Sequence, residues 1–323
     1  MLGSTLKRGP QMELEVLESH MIVLWGLMED GPLAAVRARL EEMGTSPVFI
    51  DQRRVPEYEF AMEIGEDVGG RITGPGCSIE TSDVRAIYAR PYNFADLDTL
   101  SGFDTASETW QRALRFEMSM LTWCDMTRAR VVNRPVSMGS NTSKPYQLDI
   151  IRRAGFRVPE TLITTEPASA AAFREKHGQV IYKSVSSWRS IVSRMNENDL
   201  ARLDSVTCCP TQFQKFIEGT DYRAHVVSDA VYTHRIVSIE DDYRYSTETR
   251  MEAVKLDGEM EKRCVDLAKK LQLEFAGIDL RLSVDGEWYC FEVNPSPGFS
   301  YFDRGSGAIS MAVANHLAEA AVI

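Results

Sequence analysis

Long apolar runs are missing from this sequence. None approaches the roughly 20 residues that a membrane-spanning helix needs; the longest, around Met21–Gly26, has the length of a buried strand. Surplus positive charge is missing too: 36 Lys plus Arg stand against 47 Asp plus Glu, a net charge of −11. Because phosphate neutralisation needs the opposite balance, that excludes a general nucleic-acid coat and leaves room only for a local basic pocket around a small phosphorylated ligand. The six cysteines (Cys77, Cys124, Cys208, Cys209, Cys264 and Cys290) contain no C-x-x-C pair and no zinc-type spacing. Scattered through apolar or strand-like segments, they read as small buried hydrophobes of a reducing compartment, with the adjacent Cys208–Cys209 pair as the one redox alternative. The N-terminus lacks the basic-then-apolar order of a secretory signal, which points to the cytoplasm. Two phosphate-binding fingerprints are absent as well. Gly26 stands alone at the first strand–helix turn without G-x-G-x-x-G, and Lys183 ends a strand that leads into a Ser-rich loop and a second strand, not a P-loop helix.

What is present is an α/β pattern long enough, at 323 residues, for two or three domains. Residues 1–20 are polar, carry Gly-Pro-type breakers and read as an extension or linker, with a docking arm as the sharper alternative. The stretch 21–132 reads as a small N-terminal α/β domain. Strands are expected at Met21–Trp25, Pro47–Asp51, Val84–Ala89 and Ala129–Asn133, with helices over Leu33–Met43 and Thr105–Met126. A central unit, 133–212, opens with a helix capped by Asn141, Thr142 or Ser143 and primed by Pro145. It continues through Gln179–Ser184 and Ile191–Met195 as strand–loop–strand. The remainder, 213–323, is mostly sheet: strands at Thr211–Ile217, Tyr222–Ser228 and Ala230–Ser238, a helix over Asp257–Gln272, a hairpin of Phe275–Ser283 with Glu287–Val293, and a final helix over Gly307–Val322.

Chemistry concentrates in that hairpin. Strand alternation puts Glu292 and Asn294 on one face, and Asp279 reaches the same face from the opposite strand. Apolar flanks (Ala276–Ile278, Cys290–Phe291) imply burial, where uncompensated carboxylates are costly. A divalent cation is the natural partner for three such oxygens, and Mg2+ favours one or two carboxylates completed by waters and substrate phosphates. An exposed acidic hairpin end is the plainer alternative. Basic residues recur where elements meet loops: Lys144, Lys183, Arg223, Arg235 and Arg244. Taken singly, each reads as a solvated surface charge. His225 and His234 read as packed or surface histidines.

Six elements follow one another: Lys144 before VPET, Lys183 ending VIYKS, the hinge QFQKFIEGTDYRAHVV, then DDYRY, AGIDLRL and FEVNPSPGF. In this order they resemble the ATP-grasp superfamily, most closely its RimK-like carboxylate ligases. The resemblance covers roughly Asn133 to the C-terminus. It implies an ATP-grasp fold with a small N-terminal α/β domain, a central lid-like domain and a C-terminal grasp domain. ATP would lie between two lobes, its adenine at the hinge Gln214, Lys215, Phe216 and Ile217 and its ribose near Glu218. Lys144 and Lys183 would meet the phosphates; Asp279, Glu292 and Asn294 would hold Mg2+, with Mn2+ as a substitute. Arg223 and Arg244 match positions that face the phosphates or the acyl phosphate. One departure is the segment Ser184–Ser190, glycine-rich in many relatives; serine presents backbone N–H groups less freely because positive φ is penalised, and Trp188 or Arg189 becomes an alternative substrate contact.

The implied activity is that of an ATP-dependent ligase. A carboxylate condenses poorly with an amine at neutral pH; as an acyl phosphate it carries a good leaving group, and its formation needs positioning and charge neutralisation more than covalent help. The implied substrate is a peptide or amino-acid carboxylate. Graspetide synthetases, which cross-link side chains of ribosomal precursor peptides, have a similar overall plan, and the favoured reading is an enzyme that macrocyclises or modifies such a peptide. The alternatives are a ligase of free amino acids or small peptides, a phosphotransferase, and a nucleotide-binding module without turnover. Neither nucleic acid nor membrane is expected as a partner, and a homodimer is the default assembly.

Overall fold

The computed structural model describes residues 21–66, 68–185, 192–237 and 250–321. The chain opens with β1 (Met21–Gly26), α1 (Gly31–Glu42) and β2 (Val48–Asp51), makes a three-stranded antiparallel sheet of β3 (Glu59–Ile64), β4 (Val68–Gly74) and β5 (Cys77–Glu80), and returns through β6 (Val84–Arg90), α2 (Glu108–Met126) and β7 (Arg130–Val132). Strands β2-β1-β6-β7 form a parallel sheet. Its strands are buried on both sides, as parallel sheets require. Val23 and Trp25 face a core with Phe116, Met120 and Trp123 of α2, while Ile22 and Leu24 face Leu33, Val36 and Leu40 of α1. Asp30 starts α1 by accepting the Leu33 N–H at 2.8 Å, with Pro32 in the first turn. Helix α2 begins three residues later than Thr105: Asp104 closes a turn on the Ala106 N–H, and Ser107 caps the helix at the Trp110 N–H.

Next come α3 (Pro135–Met138) and α4 (Lys144–Arg153), then β8 (Thr161–Thr164), α5 (Pro167–His177), β9 (Val180–Ser184), β10 (Ser193–Arg194), α6 (Glu197–Ala201) and β11 (Thr211–Lys215). Strands β10-β9-β11-β8 form an antiparallel sheet with a small core of its own, in which Val180 and Phe213 meet Ala170 of α5. Only Ser193–Arg194 of the expected second strand is paired, and Ile191 lies outside the described residues.

The last sheet is antiparallel, ordered β14-β13-β12-β15-β16, from β12 (Gly219–Val227), β13 (Ala230–Val237), β14 (Arg250–Val254), β15 (Phe275–Ser283) and β16 (Trp288–Asn294), with α7 (Gly258–Lys270) before β15 and α8 (Ala308–Ala320) at the end. Ala224, Val226, Ile278 and Val293 pack against α7 and against Leu148 and Ile151 of α4. Phe275 and Phe299 join Val313, Ala314 and Leu317 of α8 in the core that also holds α1 and β1. The sequence reading named neither the β3–β5 sheet nor α5.

Candidate active site

Along β12 and β15 the odd-numbered residues face away from α7, and the register sets them in rows: Asp221 opposite Arg281, Arg223 opposite Asp279, and His225 opposite Gly277. Across the hairpin, Asp279 stands opposite Glu292 and Gly277 opposite Asn294. Leu280 then pairs with Cys290, leaving Phe291 as an extra residue in β16. This bulge turns Phe291 toward the same side as Glu292, and both line a cavity of about 600 Å³ between this face and the β8–β11 sheet. Lys183, Gln214, Phe216, Arg223, Asp279, Glu292 and Asn294 all border it.

Seven residues chosen from sequence therefore share one cavity. Lys144 does not line it. It opens α4, where Gln147, one turn on, donates to the Val293 carbonyl at 2.8 Å and accepts the Val293 N–H at 2.9 Å, docking the helix start beside Glu292 and Asn294. Lys215, Ile217 and Glu218 follow Gln214 along the hinge. Several backbone groups there are already engaged: the Phe216 N–H with Gln179 O at 2.9 Å, the Ile217 carbonyl with Arg281 at 2.7 Å and the Glu218 carbonyl with the Val284 N–H at 3.1 Å. An adenine would use the remaining hinge groups. Arg244, Trp188 and Arg189 lie outside the described residues.

Electrostatics in the cavity rests on reciprocal D-x-R pairs that sequence reading missed. Arg223, almost fully buried, forms an ion pair with Asp279, whose carboxylate is one-third exposed. Arg281 grips Asp221 through both oxygens at 2.6 and 2.7 Å. Its guanidinium also lies 5.2 Å from the Phe291 ring and 5.5 Å from the Phe216 ring. The signal was available in Asp221-Tyr-Arg223 and Asp279-Leu-Arg281: on antiparallel neighbours, two such triplets in register set each acid against a base. Gly277 serves the same arrangement. A Cβ built there falls 2.7 Å from Arg223 Cζ and 2.7 Å from Pro297 Cβ, so the guanidinium fits only because position 277 is bare.

Two further observations bear on what the site can hold. Two carboxylates and one amide oxygen make a hard-oxygen set too small for a complete protein cage, which suits Mg2+ completed by phosphate oxygens and water. Among the described residues there is no group of three or more His, Cys, Asp or Glu close enough to hold a metal, so a cation at this hairpin would have to draw on the Asn294 amide beside the two carboxylates. Ser296 N–H donates to Asn294 Oδ1 at 2.9 Å, which orients the amide and leaves that oxygen its second lone pair. His225 is fully buried between Phe275 and Phe302, and neither ring nitrogen has a hydrogen-bond partner among the described residues. Burial, then the nearby Arg223 charge, pushes its pKa well below the usual histidine value and keeps it neutral.

The far end of the cavity is apolar, walled by Ile236, Met251, Tyr301 and Phe302, none of which the sequence reading chose. Nothing in their local sequence marks them; they are assembled by β13, β14 and the segment after β16.

Comparison with known proteins places this geometry. Residues 141–320 match the family model of the RimK-like ATP-grasp domain. Among solved structures, the chain is similar to macrocyclase MdnC of Microcystis aeruginosa MRC bound with precursor peptide MdnA, at 21% identity and TM-score 0.78 over 93% of this chain and 99% of that one. It is similar to the RiPP-associated ATP-grasp ligase of Chryseobacterium gregarium in complex with ADP and a leader and core peptide, at 20% identity and TM-score 0.78 over 93% and 97%. It is also similar to ATP-grasp ligase PsnB complexed with minimal precursor, Mg and ADP, at 27% identity and TM-score 0.74 over 93% and 97%. No curated protein matches the chain.

Proposed function

This chain belongs to the RimK-like ATP-grasp family, and on that premise we propose that it is an ATP-dependent ligase that joins a carboxylate to an amine or hydroxyl on a peptide. One observation carries the proposal: a single cavity collects the hinge residues Gln214 and Phe216, Lys183, Arg223 and the oxygen ligands Asp279, Glu292 and Asn294. The peptide as substrate draws support from the complexes of MdnC, of the Chryseobacterium gregarium ligase and of PsnB, each holding a precursor or leader and core peptide.

In this reading Asp279, Glu292 and Asn294 would hold Mg2+, which when bound would supply positive charge to the phosphate oxygens. Lys183 adds a buried ammonium on the opposite sheet, and Lys144 stands at the start of α4. Phe291 and Phe216 flank the nucleotide end. Arg223 offers guanidinium protons to oxygens that gain charge as phosphate is transferred and the nucleophile attacks. Arg244 keeps the role the resemblance gives it. We propose three units, 21–132, 133–212 and 213–323, with β11 of the central sheet running across the second boundary, and a homodimer as the assembly. No described helix is long and apolar enough to cross a membrane.

The test is incubation with ATP, Mg2+ and peptides bearing Asp or Glu together with Ser, Thr or Lys, read by mass spectrometry. One water is lost for each bond formed. Phosphate release triggered only by free amino acids would move the substrate from peptide to amino acid, and a stable phosphorylated product would make the protein a phosphotransferase.

A further inference from the structure

The metal-ligand strand ends in Asn294-Pro295-Ser296-Pro297. Neither proline has an N–H, so beyond Asn294 the segment is held through its carbonyls, the single backbone amide of Ser296 and side-chain packing. The amide of Ser296 goes to Asn294 Oδ1. Both proline carbonyls are taken by side chains from the first 134 residues. Asn133 Nδ2 donates to Pro295 O at 2.6 Å and to Phe275 O at 2.6 Å, while its Oδ1 accepts the N–H groups of Glu274 and Phe275 at 2.8 and 3.0 Å. Arg90 Nη1 donates to Pro297 O at 3.2 Å.

Arg90 ends β6, and both it and Asp30 are more than nine-tenths buried. Its other nitrogens meet Asp30, Nε with Oδ1 at 2.8 Å and Nη2 with Oδ2 at 3.2 Å. The same carboxylate caps α1 through the Leu33 N–H and accepts the Tyr92 hydroxyl at 3.2 Å. Arg90 is thus fixed from behind, and one arm of its fork leaves the parallel sheet for the loop after the ligand strand. Pro297, on the receiving end, borders Gly277 together with the Arg223 guanidinium: a Cβ on that glycine would stand 2.7 Å from Pro297 Cβ and 2.7 Å from Arg223 Cζ, and Arg223 in turn pairs with Asp279.

We infer that Arg90 is a positioning residue for the metal site: through Pro297 it sets both the Asn294 amide and the Arg223–Asp279 pair, so that the first sheet helps determine divalent-cation affinity. The inference rests on the ligase reading of the cavity. Groups that orient metal ligands without touching the metal commonly change affinity about 10–100-fold when removed.

The probe is Mn2+ with ADP, followed by electron paramagnetic resonance and by calorimetry on the full chain, with no peptide present. Arg90→Lys keeps a cation opposite Asp30 but loses the fork that spans to Pro297. It should weaken Mn2+ binding about tenfold while circular dichroism stays that of the unsubstituted protein. Tyr92→Phe, which removes only a hydroxyl from the same carboxylate, should leave Mn2+ affinity unchanged. Should Arg90→Lys fail to fold, Pro297→Gly takes its place, since it leaves the Arg90–Asp30 pair intact, removes the Cβ beside Gly277 and frees the backbone that Arg90 holds; the same tenfold weakening is expected. Unchanged Mn2+ affinity in the folded variant overturns this inference alone. A protein that binds no Mn2+ with ADP at all overturns the ligase reading along with it.

Discussion

Replacing Gly277 by alanine adds one methyl group to the floor of the cavity, and the structure fixes what that group meets. The new Cβ would stand 2.7 Å from Arg223 Cζ and 2.7 Å from Pro297 Cβ, where ordinary carbon contacts are about 3.5–4.0 Å. Neighbours on two sides must withdraw by about 1 Å. Arg223 is almost completely buried and tied to Asp279, so its withdrawal loosens that ion pair. Overpacking of this kind costs about 1–3 kcal/mol of stability. Misplacing a reacting or charge-stabilising group by about 1 Å costs on the order of 100-fold in rate. Gly277→Ala should therefore fold, melt a few degrees lower and lose roughly two orders of magnitude in peptide-stimulated phosphate release. Repeating the substitution in an Arg223→Ala background separates the causes. With no guanidinium to displace, the methyl group should cost much less, giving a coupling of at least about 1 kcal/mol between the two positions. Normal turnover in Gly277→Ala, or strictly additive effects in the pair, would refute the steric account.

Other outcomes follow from neighbouring groups. Glu292→Gln and Asn294→Ala should each abolish turnover yet keep wild-type circular dichroism; turnover near normal in either contradicts its assignment as a metal ligand. Asp221→Asn or Arg281→Met alone breaks this two-pronged, partly buried ion pair and should destabilise by roughly 2–4 kcal/mol, whereas the double variant should recover much of that loss, as denaturant titrations would show. Glu117 on α2 is buried beside Gln52, and burial raises its pKa to about 7. Between the ordinary carboxyl value of 4.5 and about 7 the folded state holds a proton that the unfolded chain has released. Stability from this group is complete below pH 4.5, falls as pH rises and levels off above about 7. Glu117→Gln should flatten that part of the pH–stability profile and raise the melting temperature at pH 8; an unchanged profile would show that Glu117 ionises as an ordinary acid.

How much of this was legible in the sequence depended on the range of the interaction that decided it. The hairpin of β15 and β16, with Asp279, Glu292 and Asn294 on one face, follows from two-residue alternation and a turn at Gly286. Helices α1, α2 and α7 follow from apolar spacing, with starts set by the caps Asp30, Ser107 and Asp257. The β3–β5 sheet did not show because its strands are mostly half-exposed, so apolar alternation is weak, and it is broken by Gly69, Gly70 and Gly76. Helix α5 escaped because Ala170 is its one fully buried residue. In the site, the D-x-R reciprocity needs the β12–β15 register before it can be seen, and the exposure of Phe291 to the cavity needs the bulge. The far wall of Ile236, Met251, Tyr301 and Phe302 gathers three chain segments, which no local pattern encodes.

The distribution of cores has a mechanical consequence. One apolar mass joins α1, β1 and β6 to α8 and to Phe275 and Phe299, so the first and last described elements are welded into one heavy anvil that carries the oxygen ligands. The β8–β11 sheet has only its small private core, and it bears Lys183 and Gln214. If cores of unequal size set which part yields, the β8–β11 sheet is expected to move as a light hammer against the anvil when a triphosphate binds, turning at its connections near Glu160 and Phe216. In hydrogen exchange the two bodies should differ accordingly, with amides of the hammer opening first and gaining the most protection when nucleotide arrives.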